Sequence, residues 1–393
     1  MAVYARAAHT ILQGGCEVGR LKDWATQKPL EADYAAFTKP VSRTSPLCAA
    51  STGLVLLCIV CCECYGECSV VFFRALEFRL GRKLENLFSW SKSRHEKFVG
   101  CERAYFYHYY LSWGGWEKEA PPRAAHLYKL KKLTNRYAWA GNAVHEAIRE
   151  SLLKWLSAQP VDAEALMERT RNRMRQEFVA SRDGLCRGQP AQSPFWGLVE
   201  HENKVEVSAE EWRSNWSTVE TALSHFMASA WPRTFQELEV GRILETDSKD
   251  FERSFFVLDG IRVFAMPDVA FVEEGGGVRI VDWKTGSPHE GNVEQVVGYA
   301  LFVEARHGFP ALGSRVSLVY LNQQVEETWV VDEAAIQKFR AFFKASTAAM
   351  QAKLSDAASN TALDENHFLK TDMSGRCVLC PFFKICNLDL SFG

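Results

Sequence analysis

The chain has 393 residues, a formal net charge of −2 and a hydrophobic content of 47%. This length and composition support a packed core of one large domain or two ordinary ones and exclude a wholly disordered chain. The near-neutral charge excludes a uniformly basic surface, so any nucleic-acid partner has to bind in a local groove. Seven of the twelve cysteines lie within the first 68 residues, and this uneven distribution indicates ligands rather than a disulfide framework.

Residues 1–86 differ in character from the rest of the chain. The run Leu47–Cys62 is apolar, but its sixteen residues are fewer than the roughly 20 that a membrane-spanning helix needs. Five cysteines between residues 58 and 68 suggest a metal knuckle, but no second ligand pair follows at finger-like spacing. We expect this segment to be poorly structured, or to be upstream sequence from a start site that the cell does not use. We expect a cytoplasmic protein without a membrane anchor.

A folded domain is predicted from residue 87 to residue 393, and it begins with a helix. Ser89 or Ser91 is a suitable N-cap, and the helix carries Cys101 beside an aromatic stripe that includes Tyr105 and Tyr109. Taken alone, Cys101 is best explained as a small buried hydrophobic residue. A role as a ligand requires partners elsewhere in the chain.

A second helix is predicted to start at Gly141 and Asn142, with His145 at the edge of its apolar stripe. A lone histidine in that position is more often a satisfied core residue than a ligand. A polar helical pattern follows and predicts a helical insert at about residues 161–232. Residues 235–240 then predict a short strand, in which Glu239 is equally well explained as an exposed carboxylate or as a neighbour of a metal site.

The stretch Met266–Gly286 predicts a β-hairpin that carries two acids and a lysine. A turn centred near Gly275 places Asp268 and Asp282 opposite one another, with Cβ atoms roughly 5 Å apart. Because strand side chains alternate, Asp282 and Lys284 share a face. Carboxylates this close repel one another, whereas a bound divalent cation lets both stay ionised. The hairpin therefore predicts a metal site.

The remaining elements complete a mixed sheet. Residues 254–264 predict one strand before the hairpin, and a helix after Gly286 places Gln295 and Tyr299 one turn apart on the same face. Residues 315–331 predict a strand pair, and Asp332 is expected to cap a helix that ends near residue 354. This order predicts an α/β fold with a mixed central sheet flanked by helices.

A second set of ligands is predicted from cysteine spacing. Cys377, Cys380 and Cys386 follow the pattern C-x2-C-x5-C, which is compact enough for three thiolates to bind one centre. Cys101, about 280 residues upstream, is the candidate for a fourth ligand. Four thiolates suit either a [4Fe-4S] cluster or structural Zn²⁺. The alternative is a set of unligated cysteines in a reduced protein.

Together these motifs resemble those of the PD-(D/E)XK nuclease superfamily, in its iron-sulfur RecB-like branch, which includes AddB and the CRISPR-associated RecB-like exonucleases. The resemblance covers about residues 87 to 390 and implies a restriction-endonuclease-like core. The matching motifs are Pro267-Asp268 with Asp282-Trp283-Lys284, the segment GNAVHEAI around His145, Gln295-x3-Tyr299, Cys101-Glu102-Arg103, and the terminal cysteine trio.

The resemblance implies that Asp268 and Asp282 hold Mg²⁺ or Mn²⁺, with His145 as a further ligand. It implies that Lys284 orients or deprotonates the attacking water. A hard cation suits carboxylate and phosphate oxygens, and an imidazole ligand shifts the preference toward Mn²⁺.

The resemblance also implies a function. Gln295 and Tyr299 would position the site or the DNA strand, and the four cysteines would bind a [4Fe-4S] cluster. The chain is expected to be a metal-dependent DNA nuclease in repair, recombination or defence against foreign DNA, with a helicase or another repair or defence protein as a possible partner. The alternative is a non-catalytic DNA-binding or scaffold subunit of a helicase–nuclease complex. The sequence contains no G-x4-G-K-[ST] phosphate loop, so we do not expect this chain to unwind DNA itself.

Overall fold

A computed structural model describes residues 85–188, 195–247, 254–288, 291–371 and 374–388. All of these residues belong to one unit, Leu84–Gly393. The N-terminal segment of residues 1–86, with its apolar run and its cysteines, lies outside the described ranges except for its last two residues. Within those ranges, no helix has both the length and the hydropathy that crossing a membrane requires.

The described strands form three sheets, of which the largest is mixed. Strands β2, β5, β6, β7 and β8 make up this five-stranded sheet in that spatial order, with β6 and β7 parallel and the other neighbours antiparallel. The predicted mixed sheet is therefore confirmed. The strands are β1 (Ser89–Ser91), β2 (Ile243–Thr246), β3 (Phe255–Leu258), β4 (Ile261–Phe264), β5 (Val269–Val272), β6 (Val278–Lys284), β7 (Arg315–Tyr320), β8 (Val325–Val330), β9 (Leu354–Asp356) and β10 (Thr361–Ala362).

Helices cover both faces of the large sheet. In the described part of the chain they are α1 (Lys92–Gly100), α2 (Glu102–Phe106), α3 (Pro122–Leu130), α4 (Arg136–Leu156), α5 (Ala163–Arg182), α6 (Val199–Asn203), α7 (Ala209–Ala228), α8 (Trp231–Glu237), α9 (Gly291–His307), α10 (Glu333–Gln351), α11 (Ser374–Cys377) and α12 (Phe383–Leu388). A π-helical turn, Tyr107–Leu111, follows α2. The predicted N-caps of α1 and α10 are confirmed, because the side chains of Ser91 and Asp332 accept hydrogen bonds from the backbone N–H groups of Arg94 and Ala335.

The alternation of side chains along the sheet produces two hydrophobic cores, one on each face. Ala270, Ile280 and Leu318 belong to the core shared with α1, α2, α9 and α10. Val269 and Val281 belong to the core shared with α4, α5, α7 and α8. The helices of the predicted insert thus pack directly on one face of the sheet, and the fold has three layers.

The predicted hairpin is present as β5 and β6. Its register pairs Val269 with Val281 and Val272 with Val278, and the reversal runs through Gly276, whose φ is +82°. Glycine is favoured there because a Cβ atom makes positive φ costly for other residues. The position of this turn fixes the register between Asp268 before it and Asp282 after it.

Two predicted strands are wrong in detail. Residues 235–240 belong to the end of α8 and to a short 3₁₀ turn, because Trp231 and Phe235 are one helical turn apart and both are buried in the core. The strand that joins the sheet is β2, which begins only at Ile243. Residues 254–264 form two strands, β3 and β4, which reverse through Asp259 and Gly260, both with positive φ.

Two helix boundaries also differ from prediction. The first helix is interrupted at Cys101, where the backbone is extended with φ −168° and ψ 111°, so the aromatic stripe continues on separate helical segments. Helix α4 starts six residues earlier than Asn142, because the side chain of Asn135 accepts hydrogen bonds from the N–H groups of Tyr137 and Ala138. Gly141 is therefore inside the helix, where a Cβ atom would lie 3.4 Å from Thr285 Oγ1.

Candidate active site

The hairpin brings two carboxylates to the end of the strand pair. Continuing the register of β5 and β6 by one residue places Asp268 opposite Asp282. Asp282 is only 2% exposed, whereas Asp268 lies just before β5 and accepts a hydrogen bond at Oδ2 from the backbone N–H of Trp283 at 2.7 Å. The side chain of Trp283 is buried in the opposite core. The predicted facing pair of acids is thus formed.

Helix α4 places His145 against the first acid. Its Nδ1 lies 2.9 Å from Asp268 Oδ1. Burial alone would lower the pKa of His145, but the adjacent Asp268 carboxylate outweighs it, and the pKa rises to about 9. His145 is therefore protonated at neutral pH when it is paired with Asp268.

A closed ring of polar contacts surrounds the second acid. The Lys284 Nζ lies 2.6 Å from Asp282 Oδ2 and donates to Gln295 Oε1 at 2.9 Å. Gln295 Nε2 then donates to the Tyr299 hydroxyl at 2.6 Å, and that hydroxyl donates to Asp282 Oδ1 at 3.2 Å. Gln295 and Tyr299 lie one turn apart on α9. Lys284 is therefore held between Gln295 on the helix and Asp282 on the strand.

The ionised form of Asp282 is destabilised within this ring of contacts. Burial raises the pKa of Asp282, the Asp268 carboxylate raises it further, and Lys284 offsets only part of this effect. Burial, followed by the charge of Asp282, raises the pKa of Tyr299 well above its usual value, so the phenol stays a neutral donor.

The donor atoms suit a hard divalent cation, although they are engaged with one another. Among the described residues, no three His, Cys, Asp or Glu side chains are arranged as a ready-made metal site. Asp282 Oδ2 is buried and accepts no hydrogen bond of ordinary geometry, despite the nearby lysine nitrogen. An oxygen of this kind has capacity for a cation. Together with Asp268 and His145 it forms an O, O, N donor set, which fits Mg²⁺ or Mn²⁺.

One acid beside the site was missed in the sequence. The backbone N–H of Asp247 donates to the carbonyl of Asp268 at 3.1 Å. Burial and the charge of Asp268 raise the pKa of Asp247, and His145 partly opposes this shift. The register of β2 on β5, which pairs Thr246 with Val269, would have placed Asp247 opposite Asp268. The prediction failed because the strand was assigned too early in the chain.

Glu239 is not among the residues that the structure brings together at this site. It precedes the 3₁₀ turn after α8, and its side chain is 80% exposed. Its carboxylate lies 3.7 Å from Arg242. The solvent-exposed explanation of Glu239 is the one that its surroundings support.

The four cysteines of the second predicted centre line one cavity of about 380 Å³. Cys101 is the extended residue between α1 and α2, Cys377 ends α11, and Cys386 lies in α12. Burial raises the pKa of Cys380 to about 11 and also raises that of Cys386, with neighbouring cysteines contributing to both shifts. Cysteines from both ends of the domain thus line the same cavity, although they are not arranged as a ready-made metal site in the described part of the chain.

The charge around this cavity suits an anionic centre. Its described lining contains no carboxylate, and five cationic side chains line it: Lys97, Arg103, Lys131, Lys370 and Arg376. Four thiolates around two positive charges leave a net negative charge, which these cations would offset. The residue types around this cavity therefore suit a thiolate-bound metal centre, although the described cysteines do not form a ready-made one.

Protein contacts independent of the cysteines join the same two regions. Glu365 pairs with Arg103 at 2.9 Å and with Arg123 at 2.8 Å, and it accepts a hydrogen bond from the Tyr107 hydroxyl. The ring of Phe382 is buried against Tyr107.

Comparison with known proteins gives one assignment. A family model described as the PD-(D/E)XK nuclease superfamily matches residues 89–387, a range that includes the hairpin, α4, α9 and the four cysteines. No curated protein matches the chain significantly. Since the match spans most of the chain, this protein belongs to the PD-(D/E)XK nuclease superfamily.

Proposed function

We propose that this chain is a metal-dependent nuclease that hydrolyses phosphodiester bonds of DNA. Members of its superfamily are generally nucleases. The observation that carries the proposal is the pair of facing acids with a lysine fixed beside them: Asp282 lies opposite Asp268, and Lys284 Nζ is 2.6 Å from Asp282.

Asp268, Asp282 and His145 are the residues that would hold Mg²⁺ or Mn²⁺. Such an ion polarises a phosphodiester and lowers the pKa of a water molecule. His145 would have to lose one proton before a ring nitrogen could bind a cation.

Lys284 acts on the water and on the charge that develops on the phosphate. Its Nζ is held at 2.9 Å by Gln295, so its donor directions are fixed before substrate binds. A cation in this position orients the attacking water and stabilises the additional negative charge on the phosphate. Tyr299 keeps Asp282 in place through its hydroxyl.

Cleavage assays with purified full-length protein test this function. We expect Mg²⁺ or Mn²⁺ to support hydrolysis of linear single-stranded or double-stranded DNA, and EDTA to abolish it. Asp282→Asn and Lys284→Met should remove cleavage. Glu274→Gln, an exposed acid in the turn of the same hairpin, is the matched control and should remain active. Wild-type protein that binds DNA but never cleaves it would favour the non-catalytic alternative, and cleavage by Asp282→Asn would refute the assigned site.

For the cysteine centre we infer a [4Fe-4S] cluster rather than Zn²⁺. Four thiolates bind one zinc ion at about 2.3 Å and enclose no further space. A [4Fe-4S] cluster also contains four irons and four sulfides, so its four thiolates must lie farther apart. The cavity of about 380 Å³, which the four cysteines line together with other residues, has room for the larger group. Protein purified without oxygen should be brown and contain iron and sulfide. Colourless, stable protein that contains zinc would refute the assignment.

For the biological role we propose repair, recombination or defence against foreign DNA, with a helicase as partner. The basis is the resemblance of the Gln295 and Tyr299 motif and of the split cysteine set to RecB-like nucleases. Affinity purification of the native protein with DNA digested away tests the partnership, because a helicase should remain bound. Cleavage of free ends but not of circular DNA would further identify an exonuclease.

A further inference from the structure

A cavity beside the candidate active site is lined by a buried cation that has no counter-charge among the described residues. The cavity has a volume of about 550 Å³, and its lining runs from Gln295 and Tyr299 to Arg94. Arg94 is 3% exposed. Among the described residues, no carboxylate lies within ion-pair distance of its guanidinium.

The partners of Arg94 are neutral. Its Nη1 donates to Ser89 Oγ at 2.9 Å, and its Nη2 donates to the hydroxyls of Tyr105 and Tyr110 at 3.1 and 3.2 Å. Burial raises the pKa of Tyr110, so its phenol supplies no negative charge. The ring of Tyr109 stacks on the guanidinium at 4.3 Å. Buried charges are normally paired, and aromatic contacts compensate only part of the desolvation of an arginine.

Two further side chains that line the same cavity, His108 and Lys131, could bind an anion. The Nδ1 of His108 is buried and has no hydrogen-bond partner within the described residues. Burial and the charges of Lys97, Lys131 and Arg94 lower the pKa of His108 to about 2, so the ring is neutral and one of its nitrogens carries a hydrogen. Lys131 lines the same cavity and donates to the His108 carbonyl at 3.5 Å.

The other groups that line the cavity do not neutralise the positive charge of Arg94 and Lys131. Glu85 and Glu294 line the cavity, but Glu85 is exposed and Glu294 pairs with Lys338 at 3.2 Å. Tyr109 and Trp113 add aromatic surface, and Trp113 is 37% exposed. Positive charge interleaved with aromatic rings is typical of sites that bind unpaired nucleic-acid strands, because the cations contact phosphates and the rings stack on bases.

We propose that Arg94, Lys131 and His108 form a phosphate-binding site for an unpaired DNA strand. One phosphate of the strand binds here, while another phosphate of the same strand lies at the candidate active site. This inference rests on the proposed nuclease function and extends it to the form of the substrate. A duplex is too wide and too rigid to bring a phosphate against a guanidinium that is 3% exposed, whereas the backbone of a single strand can enter the cavity. The phosphate is either an internal diester or a terminal monoester.

Binding measured in EDTA tests the site without any dependence on cleavage. The probe is fluorescent oligothymidylate of about 12 nucleotides, compared with a hairpin duplex of similar length. Arg94→Met and Lys131→Met should each weaken single-strand binding by about five-fold or more, since each removes a charge-assisted contact to phosphate. Duplex binding should change little. Lys344→Met, on the exposed side of α10, is the matched control and should bind as wild type does.

The outcomes separate the proposals. Unchanged single-strand affinity in folded Lys131→Met and Arg94→Met proteins overturns the phosphate site. An equal loss for single strand and duplex overturns its preference for unpaired DNA. If Arg94→Met does not fold, the Lys131→Met result decides. Competition with circular single-stranded DNA distinguishes the two phosphates, because a circle offers only internal diesters. Intact binding without any metal-dependent cleavage would refute the nuclease function alone.

Discussion

The Asp282 carboxylate is buried beside a second carboxylate, and this position raises its pKa. A raised pKa means that the folded protein binds a proton at this residue more tightly than the unfolded chain does. The ionised form therefore lowers the stability of the metal-free protein at neutral pH. A cation that binds both acids would reverse this effect.

We expect Asp282→Asn to separate activity from stability. Asparagine keeps the shape of the side chain and an acceptor for Tyr299, but it removes the buried charge. Metal-dependent cleavage should fall at least roughly 100-fold. The melting temperature of the metal-free protein, measured by thermal unfolding in EDTA, should be at least as high as that of wild type. A clearly lower value would contradict the strain inferred at Asp282.

The pair of His145 and Asp268 gives a pH-dependent prediction. Because the pKa of His145 rises from 6.5 to about 9 in the folded protein, the pair contributes its full stability below about pH 6.5 and loses it as the pH rises through 9. In EDTA, wild type should melt a few degrees above His145→Asn at the acidic end of this window. The difference should shrink toward the alkaline end. A difference that grows with pH would show that His145 is not protonated in the fold.

At the level of elements, short sequence patterns predicted those structures that depend on residues close together in the chain. The β5–β6 hairpin, which carries the two acids and the lysine, was predicted correctly from its glycine turn and its alternating apolar residues. Strand β2 was missed because all four of its residues are only partly buried and show no alternation. Its end carries Asp247, and this acid was missed with it.

Other site features depend on distant parts of the chain. The role of Arg94 has no local signal, because an arginine in the sequence KSRHEKFVG is normally solvated. Its burial depends on rings from the next helical segments. His145 could be placed near the acids only by resemblance to known nucleases, since α4 and the hairpin are more than 100 residues apart.

Helix α4 passes close to the end of β6 at Gly141. A Cβ atom at Gly141 would lie 3.4 Å from Thr285 Oγ1, which is ordinary van der Waals contact. Gly141→Ala should therefore be tolerated, with a gain of roughly 0.5–1 kcal/mol from helix propensity, and it serves as the control. Gly141→Leu would place a larger side chain against Thr285 and should displace α4.

Because α4 carries His145, this displacement should reduce cleavage by about ten-fold or more. Thermal unfolding and cleavage by the two variants, measured under the same conditions, test this prediction. Equal activity of Gly141→Leu and Gly141→Ala would mean that the position of His145 on α4 does not matter for catalysis.

At the scale of the whole molecule, the cysteine cavity joins the first helices of the domain to the last. A metal centre that closes so long a loop contributes to folding itself. Cys101→Ser should lose iron and lower the melting temperature by roughly 5 °C or more. Cys186→Ala is the matched control, because Cys186 is buried and lies outside the cavity. Retention of iron by Cys101→Ser would remove Cys101 from the ligand set.

The separation of these ligands along the chain has a consequence for biosynthesis. Cys386 follows Cys101 by 285 residues, so synthesis at roughly 5–20 residues per second places their emergence about 14 to 57 seconds apart. During that time Cys101 is a free thiol on a ribosome-bound chain. Insertion of the proposed cluster would then be a late step that acts on a nearly finished domain. Until it occurs, protein contacts such as those of Glu365 with Arg103 and Tyr107 would hold the two regions together.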